Sequence, residues 1–453
     1  MNRIAAPAVA ALIVVAIGLA GIGHASGASG PDDAPHTELE ESTPARDTVI
    51  GAALENVVLI FSGPVEASLS RVRWVGPAGD TLGLEVSSVP DRPHVLIASA
   101  PPATNGLQRI LWLTVSADGH QVSGVIPFAA DIPGLAAPDT TPTPIADTAA
   151  DGAANSDADA DAAVEREDSA VSQSARLAVG GLGLFGLLGF AGLLWFGAGT
   201  TILDEPRSHR LASTLGLAAA VLLSLDFMLW LWGLRVPGID PATTFRTALG
   251  TRTGVVEAGR VVLAAGAFLL FAGTRGVRAG AFLAMLAVVV GALGGHQATI
   301  QPLVSLPANG LHLGAAAVWT GGVLLLGVWP SRPDPATGVG WTFERIALRV
   351  SSAALLASGV ILVTAVVQDL LYLPSLGALF SSTYGNLLLA KSAGFAALIG
   401  FGAYNRFRLI PALGQTEGHP ALRRSVRLEL IVMVVVVLVA VALAQVPPPV
   451  EQG

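Results

Sequence analysis

Cysteine is absent from all 453 residues, which excludes a disulfide framework, a thiolate metal site and a Cys nucleophile together. Methionine is scarce: Met1, Met228, Met285 and Met433 are the four, and none falls between His36 and Asp131. A soft thioether site therefore cannot be assembled in that stretch, and any metal there must rest on imidazole, carboxylate or backbone ligands. Charge is sparse too, at 13% of residues, and a net charge of −8 offers no basic surface for nucleic acid. The chain has no Gly-rich phosphate loop with Lys, no Asp-Lys-Thr-Gly segment and no Cys-Pro-Cys span. An ATP-driven machine is not indicated, and no enzymatic activity is expected.

Apolar residues are abundant instead. They make up 52% of the chain, with 52 glycines and a mean hydropathy of +0.63, the profile of a multi-span membrane protein carrying a soluble part. Arg3, an apolar stretch over about 5–23 and the small residues around His24-Ala25-Ser26 read as a signal peptide over 1–25, or as a signal anchor if it stays uncleaved. Either way the next segment is expected outside the cytoplasm.

Over 36–131 the pattern changes to short alternating runs: 56–61, 70–75, 82–86, 94–100, 107–115 and 121–128. Such spacing predicts a small antiparallel sandwich or barrel, with Val58, Ile60, Leu82, Leu96, Trp112 and Val125 in its core. Between its last two runs stands Ser116-Ala117-Asp118-Gly119-His120, where a turn sets a carboxylate and an imidazole two residues apart. Asp-Gly is also an ordinary hairpin turn, so metal binding and simple solvation both fit. His94 opens a run and reads as a surface residue.

Residues 132–172 are rich in Pro, Thr, Ala and Asp, with eight acids from Asp147 to Asp168 against the single Arg166, the composition of a disordered linker. A membrane domain over 173–448 follows. Eight apolar runs there are long enough for the ~30 Å of hydrocarbon, at about 175–198, 210–234, 253–273, 277–296, 309–330, 347–368, 384–405 and 425–446. With the soluble part outside, the loops on the inner side hold Arg207, Arg278, Arg345, Arg406 and Arg424 among others, while the outer ones hold only Arg235, Arg246 and Arg252. That asymmetry supports the orientation and places the carboxyl end outside.

Polar groups inside such spans need a partner or a task. His296 ends the fourth span and His312 begins the fifth, both toward the outer face, and His312, Ala316 and Trp319 share one helical stripe. Gly314, Gly321 and Gly322 permit close helix approach. Glu257, Asp226 and Lys391 also fall in the outer half. Glu257 has Arg260 or Arg252 as a structural partner, and Lys391 has Asp226.

Two resemblances give these residues roles. His36-Thr37-Glu38-Leu39, Ser42-Thr43-Pro44-Ala45, Leu59-Ile60-Phe61-Ser62-Gly63-Pro64, Trp112 and Ser116-Ala117-Asp118-Gly119-His120 resemble the periplasmic copper-resistance family CopC across the whole 36–131 segment. The resemblance implies a Greek-key β-barrel that holds Cu(II) through His36, Asp118 and His120. In that family the histidine usually follows the cleavage site directly, whereas Ser29 to Pro35 precede it here; His24 is the alternative terminal histidine. Gly294-Gly295-His296, His312 through Trp319-Thr320-Gly321-Gly322, Tyr384 to Lys391, Tyr404-Asn405-Arg406 and Arg424 to Glu429 are similar to the inner-membrane CopD family.

The implied protein is an all-β Greek-key (Ig-like) barrel or sandwich followed by an all-α bundle of eight membrane helices. Its implied role is to bind Cu(II) outside and carry copper across the cytoplasmic membrane, inward, along a path through His296, His312, Trp319 and Glu257. The implied partners are the copper ion, the lipid bilayer and copper chaperones. Two other readings stay open. A haem-bearing electron-transfer protein or cupric reductase would use His296, His312 or His209 as axial ligands, and a copper sensor or buffer would not transport at all.

Overall fold

The computed structural model describes residues 37–102, 104–116, 121–135, 156–235, 240–273, 276–294, 301–331, 340–373, 375, 377–415 and 418–446. The expected signal segment, His36, Asp118, His120 and His296 lie outside these. The chain divides into two units: one holds the β-strands and residues Trp230–Val255, the other the helices of Gln173–Leu229 and Val256–Gly453.

The first unit is a two-sheet sandwich. Strands β1 (Leu39–Thr43), β3 (Asn56–Phe61), β7 (Arg92–Ser99) and β6 (Val86–Val89) form one sheet in the order β1-β3-β7-β6. The other runs β2-β9-β8-β4-β5, with β2 (Val49–Ile50), β9 (Gln121–Ala130), β8 (Gly106–Val115), β4 (Arg71–Val75) and β5 (Thr81–Leu84). All six expected runs form strands, but the run at 82–86 divides at Glu85: β5 pairs with β4 in one sheet and β6 with β7 in the other. Strands β1 and β2 were not expected, because they are short and Pro44 interrupts the alternation between them.

The core contains Leu96 and Trp112 as expected, but its β3 face is Val57, Leu59 and Phe61 rather than Val58 and Ile60, which are half-buried. Five consecutive apolar residues in β3 carry no period-2 contrast, so pattern alone cannot choose the inward set. Leu82 and Val125 are 50% and 37% exposed. Trp112 meets the Phe61 ring edge-on at 5.2 Å and lies opposite Gly124 in the β8–β9 ladder. A Cβ at Gly124 would sit 2.6 Å from the indole, so only glycine leaves the ring its place.

The helices are α1 (Ser156–Gly197), α2 (Pro206–Gly233), α3 (Pro241–Gly250), α4 (Arg252–Ala272), α5 (Val277–Gly291), α6 (Pro302–Val328), α7 (Phe343–Tyr372), α8 (Ala378–Ser381), α9 (Thr383–Tyr404) and α10 (Gly418–Leu443). Seven helical segments among the described residues are long and apolar enough to cross a membrane: Ser174–Gly197 of α1, then α2, α4, α6, α7, α9 continued by a π-turn to Leu409, and α10. Among the described residues the expected fourth span is helical over α5, whose 15 residues reach about 22 Å. It ends at Gly291, three residues ahead of Gly294, so the count of eight is not confirmed. The linker also differs from expectation, since α1 begins at Ser156. Alanine and acidic residues without Pro or Gly tolerate helix well, and a nucleated apolar helix propagates backward through them.

Within the second unit α6 is central, packing on α5, α7 and α10. It also crosses α1 backbone to backbone, where a Cβ on Gly321 would fall 2.3 Å from Gly192 C and one on Gly192 would fall 2.0 Å from Ala317 O. Large side chains such as Leu303, Leu356 and Leu370 point outward, more than 70% exposed, which suits hydrocarbon and not water.

Candidate functional site

At one end of the sandwich, the segment Ser62–Glu66 is stitched to the chain on both sides of it. Ser62 N donates to Glu38 O at 2.8 Å, Glu38 N donates to Ser62 Oγ at 2.9 Å, and Glu66 N donates to Val115 O at 2.8 Å. Val65 bridges Ser116. Thr37 is buried against Gly63. The residue after His36 and the residue two before Asp118 are thereby fixed on the two flanks of one five-residue segment. His94, half-buried in β7, neighbours Pro93, whose carbonyl accepts from Val65 N at 2.9 Å. Three segments thus converge on this end, although the three candidate ligands themselves lie outside the described residues. Among the described residues no group of three or more His, Asp or Glu side chains could hold a metal.

In the helical unit, His312, Ala316 and Trp319 line one cavity of about 110 Å³, as their shared stripe on α6 predicts. Its remaining polar wall comes from Thr320 on α6, Gln368 and Asp369 at the end of α7 and Lys391 and Ser392 on α9, with Met433 of α10 adding the one thioether. Lys391, the only lysine in the chain, therefore sits with Asp369 and not with Asp226.

His312 Nδ1 lies 3.0 Å from Thr364 Oγ1. That hydroxyl has one proton and donates it to a backbone carbonyl, with Val360 O at 2.8 Å and Ile361 O at 3.0 Å. With its proton on a carbonyl the hydroxyl is left to accept from His312 Nδ1–H, the tautomer in which the Nε2 lone pair is free. A histidine fixed in this tautomer by an oxygen behind it is prepared to ligate a cation.

Trp319 also lines a second cavity, of about 120 Å³, formed by the first half of α7, the end of α9, the π-turn Asn405–Leu409 and Glu429 of α10. Neighbouring helices alternate in direction, so the two cavities occupy opposite depths of the bundle with Trp319 between them. Its Nε1 donates to Glu429 Oε1 at 3.2 Å, and Asn405 Nδ2 donates to Oε2 at 2.9 Å. The role of Glu429 was missed in the sequence, although a lone acid in the apolar run 425–446 was the available signal.

Glu257 does not join either cavity. It pairs with Arg260 at 2.7 Å, and Arg260 and Arg176 both approach Asp226, at 3.7 and 3.5 Å. This is the structural partnership expected for Glu257, and it lines neither of these two cavities. His209 stacks on Phe271 and lines neither cavity.

A β-sandwich ahead of a set of apolar spanning helices with internal polar cavities defines a multi-pass membrane protein with an appended β domain. Residues 39–131 match the CopC domain, and residues 343–443 match copper resistance protein D, so one chain joins a segment similar to CopC to a segment similar to CopD. A relative in Bacillus subtilis (strain 168), the copper transport protein CutJ, is 28% identical over 388 residues, which is 81% of this chain and 67% of the relative. Among solved structures, CopC from Methylosinus trichosporium OB3b is 26% identical and aligns over 22% of this chain and 96% of its own, with a TM-score of 0.21. PcoC, a methionine-rich copper resistance protein from Escherichia coli, is 26% identical over 21% of this chain and 99% of its own, with a TM-score of 0.19.

Proposed function

We propose that the protein binds copper through its β domain and transports it across the cytoplasmic membrane, contributing to copper homeostasis and resistance. The ion is captured outside as Cu(II), the direction is inward, and the membrane part crosses eight times with α5 as the short crossing. His36, Asp118 and His120 form the outer site: two imidazoles and a carboxylate are a nitrogen and oxygen set that Cu(II) favours. The acidic tether raises the local concentration of the loaded domain at the bundle, and His296 and His312 receive the ion, with Trp319 at the far wall. Copper is cargo here, and chaperones are the expected soluble partners.

The observation that carries this reading is His312 lining a polar-walled cavity with Thr364 Oγ1 3.0 Å behind its Nδ1, in a chain that joins a CopC match to a CopD match. Cell-associated copper, measured by mass spectrometry in cells making the native or variant protein, tests it. His312→Ala is expected to lower copper accumulation several-fold, and Asp118→Ala to lower it mainly when external copper is limiting. Unchanged accumulation in His312→Ala together with altered copper tolerance in Asp118→Ala would identify a sensor or buffer instead.

A further inference from the structure

Glu429 is 3% exposed near the start of the apolar run of α10, and among the described residues its two oxygens take hydrogen bonds only from Trp319 and Asn405. Among the described residues no Lys, Arg or His lies within ion-pair distance of it. Contrast Asp226, which has two arginines. A lone acid in a membrane interior is costly to keep, so it answers to some task other than holding the fold.

Its surroundings are incomplete in a specific way. Asn405 Oδ1, and Ser425 Oγ one turn earlier on α10, are buried without a hydrogen-bond partner among the described residues. The Asn405 amide can serve the acid in both of its states. With Nδ2 forward it donates to the carboxylate; turned by a half-rotation it offers Oδ1, which accepts the O–H of the carboxylic acid. One bond forms when a proton binds Oε2 and the same bond breaks when it leaves, with no other reactant.

The trio also stands at the right place. Trp319 lines both cavities, while Glu429 and Asn405 line the second. The charged or titratable groups facing the first cavity are His312, Asp369 and Lys391. Facing the second is Arg406, whose Nη1 donates to Ser351 Oγ at 3.0 Å. On α10 itself Arg423 is engaged with Gly327 O, Trp329 O and Ser331 Oγ, and Arg424 and Arg427 are exposed. None of these neutralises Glu429.

We propose that Glu429 is a proton-binding site whose loading and unloading couples passage of the metal between the two cavities to movement of protons. The inference rests on the transport reading above, and it supplies a source of energy to a chain that has no nucleotide-binding motif.

Glu429→Gln is the informative variant, because the amide keeps an acceptor for Trp319 and gives Asn405 Oδ1 a donor while binding no proton. The full-length protein is reconstituted into vesicles holding a pH-sensitive dye, cupric chloride is added outside, and internal copper is counted by mass spectrometry. In the native protein, copper entry is expected to be accompanied by a dye signal and to change several-fold under an imposed pH gradient. In Glu429→Gln, copper entry should ignore the gradient and the dye signal should vanish. Either sign of the signal supports coupling, one as exchange and the other as joint passage. Native copper entry with neither dye signal nor gradient dependence overturns the proposal, and so does full coupling in Glu429→Gln. No copper entry in the native protein would instead sink the transport reading. An infrared carboxyl band that appears on acidifying the native protein and is missing from Glu429→Gln is expected independently of copper; equal bands in the two proteins would also overturn the assignment.

Discussion

In the sandwich, the buried polar side chains among the described residues are hydroxyls and amides, such as the Ser70–Thr114 pair at 2.6 Å and Asn105 bonded to Ile132 and Leu135. Among the described residues no charged side chain is buried there. The helical unit does the reverse, burying Glu205, Asp226 and Glu429. Glu205 caps α2 through the N–H groups of Arg207 and Ser208, Asp226 meets two arginines, and Glu429 meets two neutral donors. The contrast follows from the surroundings. A domain in water can leave its ionic groups on loops at its rim and fill its centre with hydrocarbon, whereas a bundle in lipid must turn polar chemistry inward.

Three substitutions probe how far this opposition holds. The largest effect is expected from Phe61→Ala, which empties the space beneath Trp112 and should cost about 3–5 kcal/mol. Pulse proteolysis of the full chain should show the sandwich cut early while the helices stay protected; equal resistance in native and variant protein would mean the apolar centre is not what holds it. Asp226→Ala strips two arginines of their shared acid. Arg176 keeps 29% of its side chain exposed, so the cost should be about 2 kcal/mol, below that of fully enclosed ion pairs, read as a lower melting temperature in detergent. Smallest is Thr364→Val, which removes the oxygen behind His312 at a cost of about 1 kcal/mol while leaving the cavity wall otherwise unchanged. A melting curve as little shifted as that should accompany a clear drop in copper transport, because the imidazole is no longer fixed in one tautomer.

Much of this was legible in the sequence because it is local. The i, i+4, i+7 relation of His312, Ala316 and Trp319 is fixed by helix geometry alone, and the i, i+3 spacing of Glu257 and Arg260 gave their ion pair. What escaped depends on how elements meet. The inward face of β3 needed the opposite sheet to choose between Val57 and Val58. Lys391 found Asp369 because α9 packs on α7, which no spacing along the chain encodes. Glu429 and Asn405 are 24 residues apart and join only through the turn between α9 and α10. The length of α5 depended on where the helix stops, at Gly291, a boundary that hydropathy does not mark. The roles of Asp118 and His120 rest on the CopC resemblance, and only the ends of their turn, Val115 and Gln121, are placed by pairing.

The crossing of Gly192 with Gly321 has a mechanical implication. With backbone touching backbone, α1 and α6 have no side-chain cushion between them at that level, and neither can roll without collision. They act as a fixed post, and His312 and Trp319 ride on it. Any opening between the two chambers must then be made by the opposite wall, α7, α9 and α10, so Glu429 and Asn405 would travel while the indole they hold stays still.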